Sequence, residues 1–394
     1  MDRVSFVALV ALLLVLAGGW GVPVDAAVPR ATATPRPTAT LRATATPRAT
    51  ATPRATPTPS PTPVPPPSGY VTTSGTRLTL DGQPYRFKGL NIYNANSRGN
   101  CWYSLGNADG ALGAALTEVG TGQNAFRAWF FQGLATTNGA RDWSAFDRTI
   151  AAATANHVRI IATLADQWGN CDSGSSSATY KTDTWYSTSY RSVVGPGTTR
   201  AYRDWVAEIV TRYRNEPTIL AWQLMNEAEI KPGISSACST NAAAILRNWA
   251  ADVSGLVKSI DTNHLVSLGT IGSGQCGAAN ADYQSLHGLS AIDLCEFHDY
   301  LPGSMPGDQW NGLAVRIKQC ATLGKPIFVG ETGQKGMSLA ARASVFASKL
   351  STQFGAGVVG ELVWDLRTTS QGGSSLTGYE VGPTDPTVAL FAGY

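Results

Sequence analysis

Glu227, directly after Asn226, and Glu331, directly after Phe328-Val329-Gly330, each stand at the end of a short apolar run, Ile219 to Met225 and Ile327 to Gly330. Two carboxyls on one rim suit the cleavage of an acetal. One protonates the leaving oxygen while the other meets the positive charge that develops at carbon. A lone glutamate at a strand end is commonly structural. Two of them, with cationic and aromatic neighbours, point to a site.

The neighbours are of the right types. Phe126-Arg127-Ala128-Trp129, Asp166-Gln167-Trp168, His298-Asp299-Tyr300 and Trp364 all follow or end short apolar segments. A guanidinium such as Arg127 favours the ionised form of a carboxyl beside it. Trp102, Trp129, Trp168 and Tyr93 offer rings to the C–H face of a pyranose, although any one of them serves equally well as core packing. As a set they imply a cleft several sugars long and therefore a polymeric substrate. Glu296 alternates with His298 and Tyr300, so it points into the same interior as part of a polar network with Arg127. Glu229 and Glu361 read as rim or network residues, and Asp166 and Asp299 as substrate contacts or loop caps. The four histidines are not spaced as ligands and no CxxC occurs, so neither a metal nor an organic cofactor is expected.

Such residues need a scaffold that brings many strand ends to one face. From Gly69 to Tyr394 short buried apolar runs alternate with helical patterns, the mark of parallel βα units. A hairpin is expected at Arg77 to Arg86, turning at Asp81-Gly82 and closing the bottom of the domain. Strands are expected at Phe87–Ile92, Ala125–Trp129, Arg159–Leu164, Leu220–Met225, Leu265–Gly269, Leu294–His298, Ile327–Gly330 and Val358–Trp364, with helices at Trp143–Asn156, Thr199–Arg214 and Asn241–Ser259 among them. Eight such strands make an α/β fold of the (β/α)8 TIM-barrel type, whose chemistry sits at the carboxyl ends of the strands. A doubly wound open sheet is the alternative, and the first strand lacks the glycine-rich loop it would carry.

The segment before the barrel has another character. Met1-Asp2-Arg3 followed by the apolar run Phe6 to Leu16, with Val24 and Ala26 before a scissile bond, reads as a signal peptide over 1–26. Residues 27–68 repeat Ala, Thr, Pro and Arg, with Arg30, Arg36, Arg42, Arg48 and Arg54 six apart. That composition predicts a disordered, extended linker to a catalytic domain at 69–394, and its basic repeat could associate with an acidic cell wall. Residues 1–68 hold six of the 30 basic and two of the 27 acidic side chains, so the rest is near neutral at 24 against 25. This suits an uncharged substrate and gives no sign of a nucleic-acid partner. The six cysteines all follow the linker, and export would oxidise them. Pairing in sequence order, Cys101 with Cys171, Cys238 with Cys276 and Cys295 with Cys320, is the expectation, with other connectivities open.

Taken together, Phe126-Arg127, Trp222 to Asn226-Glu227, His298-x-Tyr300, Phe328-Val329-Gly330-Glu331 and Trp364 resemble glycoside hydrolase family 5, over residues 75 to 385. The resemblance implies a retaining (β/α)8 hydrolase with Glu227 as acid/base and Glu331 as nucleophile. It further implies that Asn226 meets the sugar 2-hydroxyl, that Arg127 and Tyr300 hold Glu331 ionised and turned, that His298 lies by Glu227, and that Trp364 floors the site. Ala228 departs from the pattern, which has proline there. A literal Asn-Glu-Pro at 215–217 precedes the apolar run, which puts Glu216 at the barrel's bottom. The expected activity is that of a secreted, monomeric endo-β-1,4-mannanase. An endo-β-1,4-glucanase or another β-glycanase is the alternative within the clan, and a non-catalytic carbohydrate-binding surface protein the alternative from another class.

Overall fold

The computed structural model describes residues 68–394, apart from 100, 102–104, 106–109, 121 and 175–178. The expected signal peptide, all of the expected linker but Ser68, and Trp102 lie outside the described residues.

Eight parallel strands form the core: β1 Phe87–Asn91, β2 Ala125–Trp129, β3 Arg159–Thr163, β4 Ile219–Gln223, β5 Leu265–Ser267, β6 Cys295–Asp299, β7 Ile327–Thr332 and β8 Gly360–Val363. Each pairs with its sequence neighbour, and β8 pairs with β1. A Ser267–Leu294 bridge and the Leu294 N–H bond to the Val266 carbonyl at 3.1 Å close the ring between β5 and β6. The fold is therefore the singly wound (β/α)8 barrel. Among the described residues nine helices surround it: α1 Ala111–Val119, α2 Ser144–Ala155, α3 Asp183–Ser187, α4 Tyr202–Tyr213, α5 Ala242–Ile260, α6 Ala281–His287, α7 Leu313–Thr322, α8 Leu339–Gly355 and the short α9 Pro386–Ala389. The expected strands recur within one or two residues at most ends, the margin by which strand ends fray. None of the described helices is long and apolar enough to cross a membrane.

The hairpin at Arg77–Leu80 and Gln83–Tyr85 turns at Asp81-Gly82, both at positive φ as a two-residue turn of this hand requires. Val71–Ser74 adds a third strand that the sequence reading omitted. Val71 and Leu78 pack with Phe87, Ala125, Ile161, Ala221, Leu294 and Phe328 into an apolar plug at the amino-terminal mouth, as expected of a closed bottom.

Higher along the axis the interior turns polar. Side chains alternate across a strand, so β2 sends Ala125, then Arg127, inward, and β6 sends Glu296, then His298. Residues of opposite parity, such as Cys295, Phe297, Ile327 and Val329, pack outward against the helices. The disulfides pair in sequence order, Cys101–Cys171, Cys238–Cys276 and Cys295–Cys320. The first joins the loops after β1 and β3, the second those after β4 and β5, and the third ties β6 to α7.

Candidate active site

Beyond β4 the chain stays extended through Leu224 and Met225, whose N–H groups bond the carbonyls of Ser267 and Leu268. Asn226 bridges to Asp166, and Glu227 then turns at φ 58, with its N–H on the Gly269 carbonyl at 2.7 Å. Gly269 makes this approach possible, because a Cβ there would lie 1.5 Å from the Met225 carbonyl oxygen. Glu331 is aimed differently. The ladders of β7 with β6 and β8 both shift register around it, as a bulge does when it redirects a side chain. Gly330 before it leaves room for Glu296, whose Oε1 would sit 2.1 Å from a Cβ.

Glu331 is almost wholly buried. Its Oε1 accepts from Arg127 Nη1 at 2.7 Å and its Oε2 from the Tyr300 hydroxyl at 2.6 Å. Glu227 is more open, with 16% of its side chain exposed. Its Oε2 accepts from Trp168 Nε1 at 2.7 Å and its Oε1 pairs with His298 Nδ1 at 2.9 Å. One oxygen from each glutamate and a nitrogen of His298 lie within 4.8 Å of one another.

Arg127 organises this cluster from a position without solvent access. Besides Glu331 it donates Nε to Gln223 Oε1 at 2.7 Å, Nη1 to Asn91 Oδ1 at 3.1 Å and Nη2 to Asn226 Oδ1 at 2.6 Å. Gln223 Nε2 in turn reaches both oxygens of Glu296, at 2.6 and 2.7 Å, and Ser267 donates to the same carboxylate at 2.6 Å. His298 Nε2, 3.1 Å from Glu296 Oε1, closes the circuit. Glu296 thus joins Arg127 through Gln223 rather than by direct contact.

Charge follows from the geometry. Burial favours neutral His298, but Glu331, Glu227 and Glu296 outweigh it and push the imidazole up to about 10. Burial alone would raise Glu227, and its hydrogen bond and attraction to His298 bring it below the usual glutamate range. For Glu331 burial prevails. His298 and Arg127 pull it down and Glu227 pushes it up, and the net result is a raised value, not the lowered one that Arg127 and Tyr300 alone would give. The three clustered donor atoms are near enough to share one cation. A protonated His298 has no lone pair to offer it, and Arg127, Tyr300 and Trp168 already occupy the glutamates.

The aromatic residues divide into two sets. Trp364 is half-buried and stacks on Tyr93 at 5.3 Å and 10° between planes. Trp129, 5% exposed, packs under both and against Phe131, with Arg127 over its ring at 4.6 Å. Trp364 therefore presents a face to the cleft while Trp129 and Tyr93 support it. On the Glu227 side, partly exposed Trp168 packs with Tyr180 at 5.8 Å. Glu216 lies before β4 at the opposite mouth, with its carbonyl oxygen beside His264 Nε2 at 2.9 Å.

The structure thus brings Arg127, Asn226, Glu227, His298, Tyr300, Glu331 and Trp168 into one contact network, flanked by Trp129 and Trp364. Gln223 and Asn91 were not singled out as partners of Arg127. Each is a polar residue closing a strand, at the parity that faces the barrel interior, and that was the available signal. Tyr379, whose ring meets Tyr300 edge-on at 5.1 Å, carried no such signal.

Known proteins resemble this chain in sequence and in fold. The chain is 26% identical over 341 residues to mannan endo-1,4-beta-mannosidase A of Hypocrea jecorina, covering 78% of this chain and 72% of that one. It is 27% identical over 385 residues to mannan endo-1,4-beta-mannosidase 1 of Oryza sativa, covering 82% and 84%. The crystal structure of the endo-1,4-beta-mannanase from Rhizomucor miehei superposes with a TM-score of 0.64 at 20% identity, over 82% of this chain and 98% of that chain, which shows a common fold. The cellulase model of glycosyl hydrolase family 5 matches residues 78–367, most of the chain, and the protein belongs to that family.

Proposed function

We propose that this glycoside hydrolase is a secreted, monomeric, retaining endo-β-1,4-mannanase with Glu227 as general acid/base and Glu331 as nucleophile. The observation that carries the stereochemistry is the approach of the two carboxylates, oxygen to oxygen within 4.8 Å. Retaining enzymes hold their carboxyls about 5–5.5 Å apart, whereas inverting ones leave about 6.5–9.5 Å for a water.

In the first step a Glu331 oxygen attacks the anomeric carbon, the glycosidic C–O bond breaks, and the leaving oxygen takes a proton from Glu227. That proton resides on the Glu227–His298 pair. In the second step Glu227 takes a proton from water, the water oxygen displaces Glu331, and the sugar leaves with its original configuration. Arg127 and Tyr300 fix the Glu331 carboxylate at both oxygens, so attack requires little reorganisation. Asn226 is placed to meet the 2-hydroxyl of the reacting sugar, Trp364 to carry its ring and Trp168 to line the leaving-group side.

Mannan as substrate is supported by the curated relatives named above. A β-1,4-glucan is the second reading, favoured by the cellulase description of the family model. A binding protein without catalysis would have no use for two carboxyls with four separate donors fixed on them. Export, and adherence of the Arg-bearing linker to acidic wall polymers, rest on the amino-terminal sequence alone. Reducing-end release from β-1,4-mannan and from carboxymethylcellulose tests the substrate. Preferential cutting of mannan with a rapid fall in viscosity is expected. Faster cutting of the cellulose derivative overturns the mannan assignment.

A further inference from the structure

Asp166 lies on the loop after β3, is 3% exposed, and has no part in the mechanism above. Burying a carboxyl is costly unless its partners compensate, and here two acids, Asp166 and Asp172, share one ammonium, Lys181. Lys181 Nζ bonds the Asp166 carbonyl oxygen at 2.5 Å and pairs with the Asp172 carboxylate, while Asp172 Oδ1 accepts the Asp166 N–H at 3.0 Å. Asp166 Oδ2 accepts the Asn170 N–H at 2.9 Å, and the adjoining Cys171 is tied to Cys101. The loop is thus fixed by ions, backbone bonds and a covalent link.

Among the described residues, Asp166 has one side-chain partner outside its own loop. Its Oδ1 accepts from Asn226 Nδ2 at 2.8 Å. The opposite side of that amide is also occupied, because Asn226 Oδ1 accepts from Arg127 Nη2 at 2.6 Å. An amide held at its oxygen and at one N–H has a single N–H left, in a direction it cannot change. The backbone enforces the same alignment, with the Asn226 N–H on the Ala165 carbonyl at 2.7 Å and the Gln167 N–H on the Asn226 carbonyl at 2.9 Å.

We propose that Asp166 is a positioning residue of the glycosidase reaction, which holds the Asn226 amide so that its remaining N–H meets the C2 hydroxyl of the sugar being cleaved. The inference rests on Glu227 and Glu331 being the catalytic pair. Asp166 touches no substrate. It acts through Asn226, and the hydrogen-bonded chain continues through Arg127 to Glu331. The charged and titratable groups around it are Asp172 and Lys181 on its own loop, Glu227 beyond β4, Tyr186 on α3, and Arg127 across the amide. Burial, with Asp172 adding to it, pushes Asp166 up to about 7. The clamp is therefore strongest above neutrality and weakens as the carboxylate takes up a proton.

The test uses the full chain and two aryl β-mannobiosides, one complete and one lacking the C2 hydroxyl on the ring beside the aryl group. Asp166→Asn cannot accept from both Asn226 and Asn170. It is expected to lower kcat on the complete substrate about 10- to 100-fold with little change in KM. On the deoxy substrate it should leave kcat near wild type. Asp172→Asn, which loosens the same loop without touching Asn226, should lower the melting temperature but preserve the preference for the hydroxyl. If Asp166→Asn loses equally on both substrates, or loses nothing, the inference is overturned. A second readout needs no variant. In wild type the ratio of kcat/KM on the two substrates should fall as pH drops through about 7, and a ratio flat across that range contradicts the role. Inactivity of wild type on both substrates would instead reject the mannanase reading on which the test is built.

Discussion

Arg127 and Glu331 meet at 2.7 Å inside the barrel, with 0% and 5% of their side chains exposed. The guanidinium is shared among four side-chain acceptors, Glu331, Asn226, Asn91 and Gln223, so a single residue sets the position of the proposed nucleophile and of the amide beside the proposed acid. A planar fork can do this where a point charge cannot.

Arg127→Lys is accordingly not conservative. An ammonium reaches fewer of these acceptors and leaves others buried without a donor. The variant is expected to lose about 100-fold or more in kcat, and removing one partner of a buried ion pair costs about 3–5 kcal/mol of stability when the loss is complete. Steady-state kinetics and thermal melts check both.

Trp168→Phe keeps a ring against Tyr180 and deletes the N–H that holds Glu227 Oε2. With that donor gone, the acid is less well aimed. On a natural glycan, whose leaving oxygen must be protonated, kcat should fall about 10-fold. On a 2,4-dinitrophenyl glycoside, whose leaving group needs no proton, the first step should barely change. Equal losses on both would assign Trp168 to packing only.

The pH profile follows from the directions of the shifts. Glu331 must be ionised to attack, and burial raises it, so the acid limb should lie above the range of an ordinary glutamate. The alkaline limb marks loss of the proton shared by Glu227 and His298, the latter pushed up to about 10. His298→Asn moves that proton onto a carboxyl and should shift the alkaline limb of kcat/KM to lower pH. An unmoved limb would show that the imidazole has no part in holding it.

Glu361 concerns stability rather than catalysis. It is wholly buried on β8, neither carboxyl oxygen has a partner among the described residues, and burial, reinforced by Asp299, raises it well above the usual value. In the unfolded chain it ionises near about 4.3. Above that pH the unfolded state binds fewer protons than the folded one, so this group destabilises the fold increasingly as pH rises. Glu361→Met, similar in shape, should raise the melting temperature at pH 8 and do so less at pH 4. The gain expected from removing an unsatisfied buried polar group is about 1–3 kcal/mol.

The barrel was legible because its strands are short apolar runs that alternate with amphipathic helices, and the polar residues that reach the site lie near or just past the carboxyl ends of β2, β4 and β7. Arg127, Glu227 and Glu331 could be read from that placement. Glu227 was separable from Glu216 because only one of the two follows the apolar run. The partnerships were less legible. Nothing in Ile219 to Gln223 says that Gln223 will link Arg127 to Glu296, since that link depends on three strands far apart in sequence arriving at one height. Trp129 and Trp364 look equivalent in sequence, yet Trp129, packed among Tyr93, Phe131 and Arg127, is buried and Trp364 only half-buried. The raised Glu331 was not legible for a related reason, because the neighbours of a carboxyl, here Arg127 and Tyr300, can be guessed from sequence and the depth of its burial cannot.

Azide rescue of Glu331→Ala on an activated aryl β-mannoside tests the central claim most directly. The assignment predicts that Glu331→Ala loses about 10³-fold or more in kcat. Azide should then restore turnover and yield the α-glycosyl azide, inverted at the anomeric carbon because the small anion enters where the missing carboxylate stood. A β-glycosyl azide from Glu331→Ala, or rescue of Glu227→Ala to the α product in its place, would contradict the assignment of Glu331 as nucleophile.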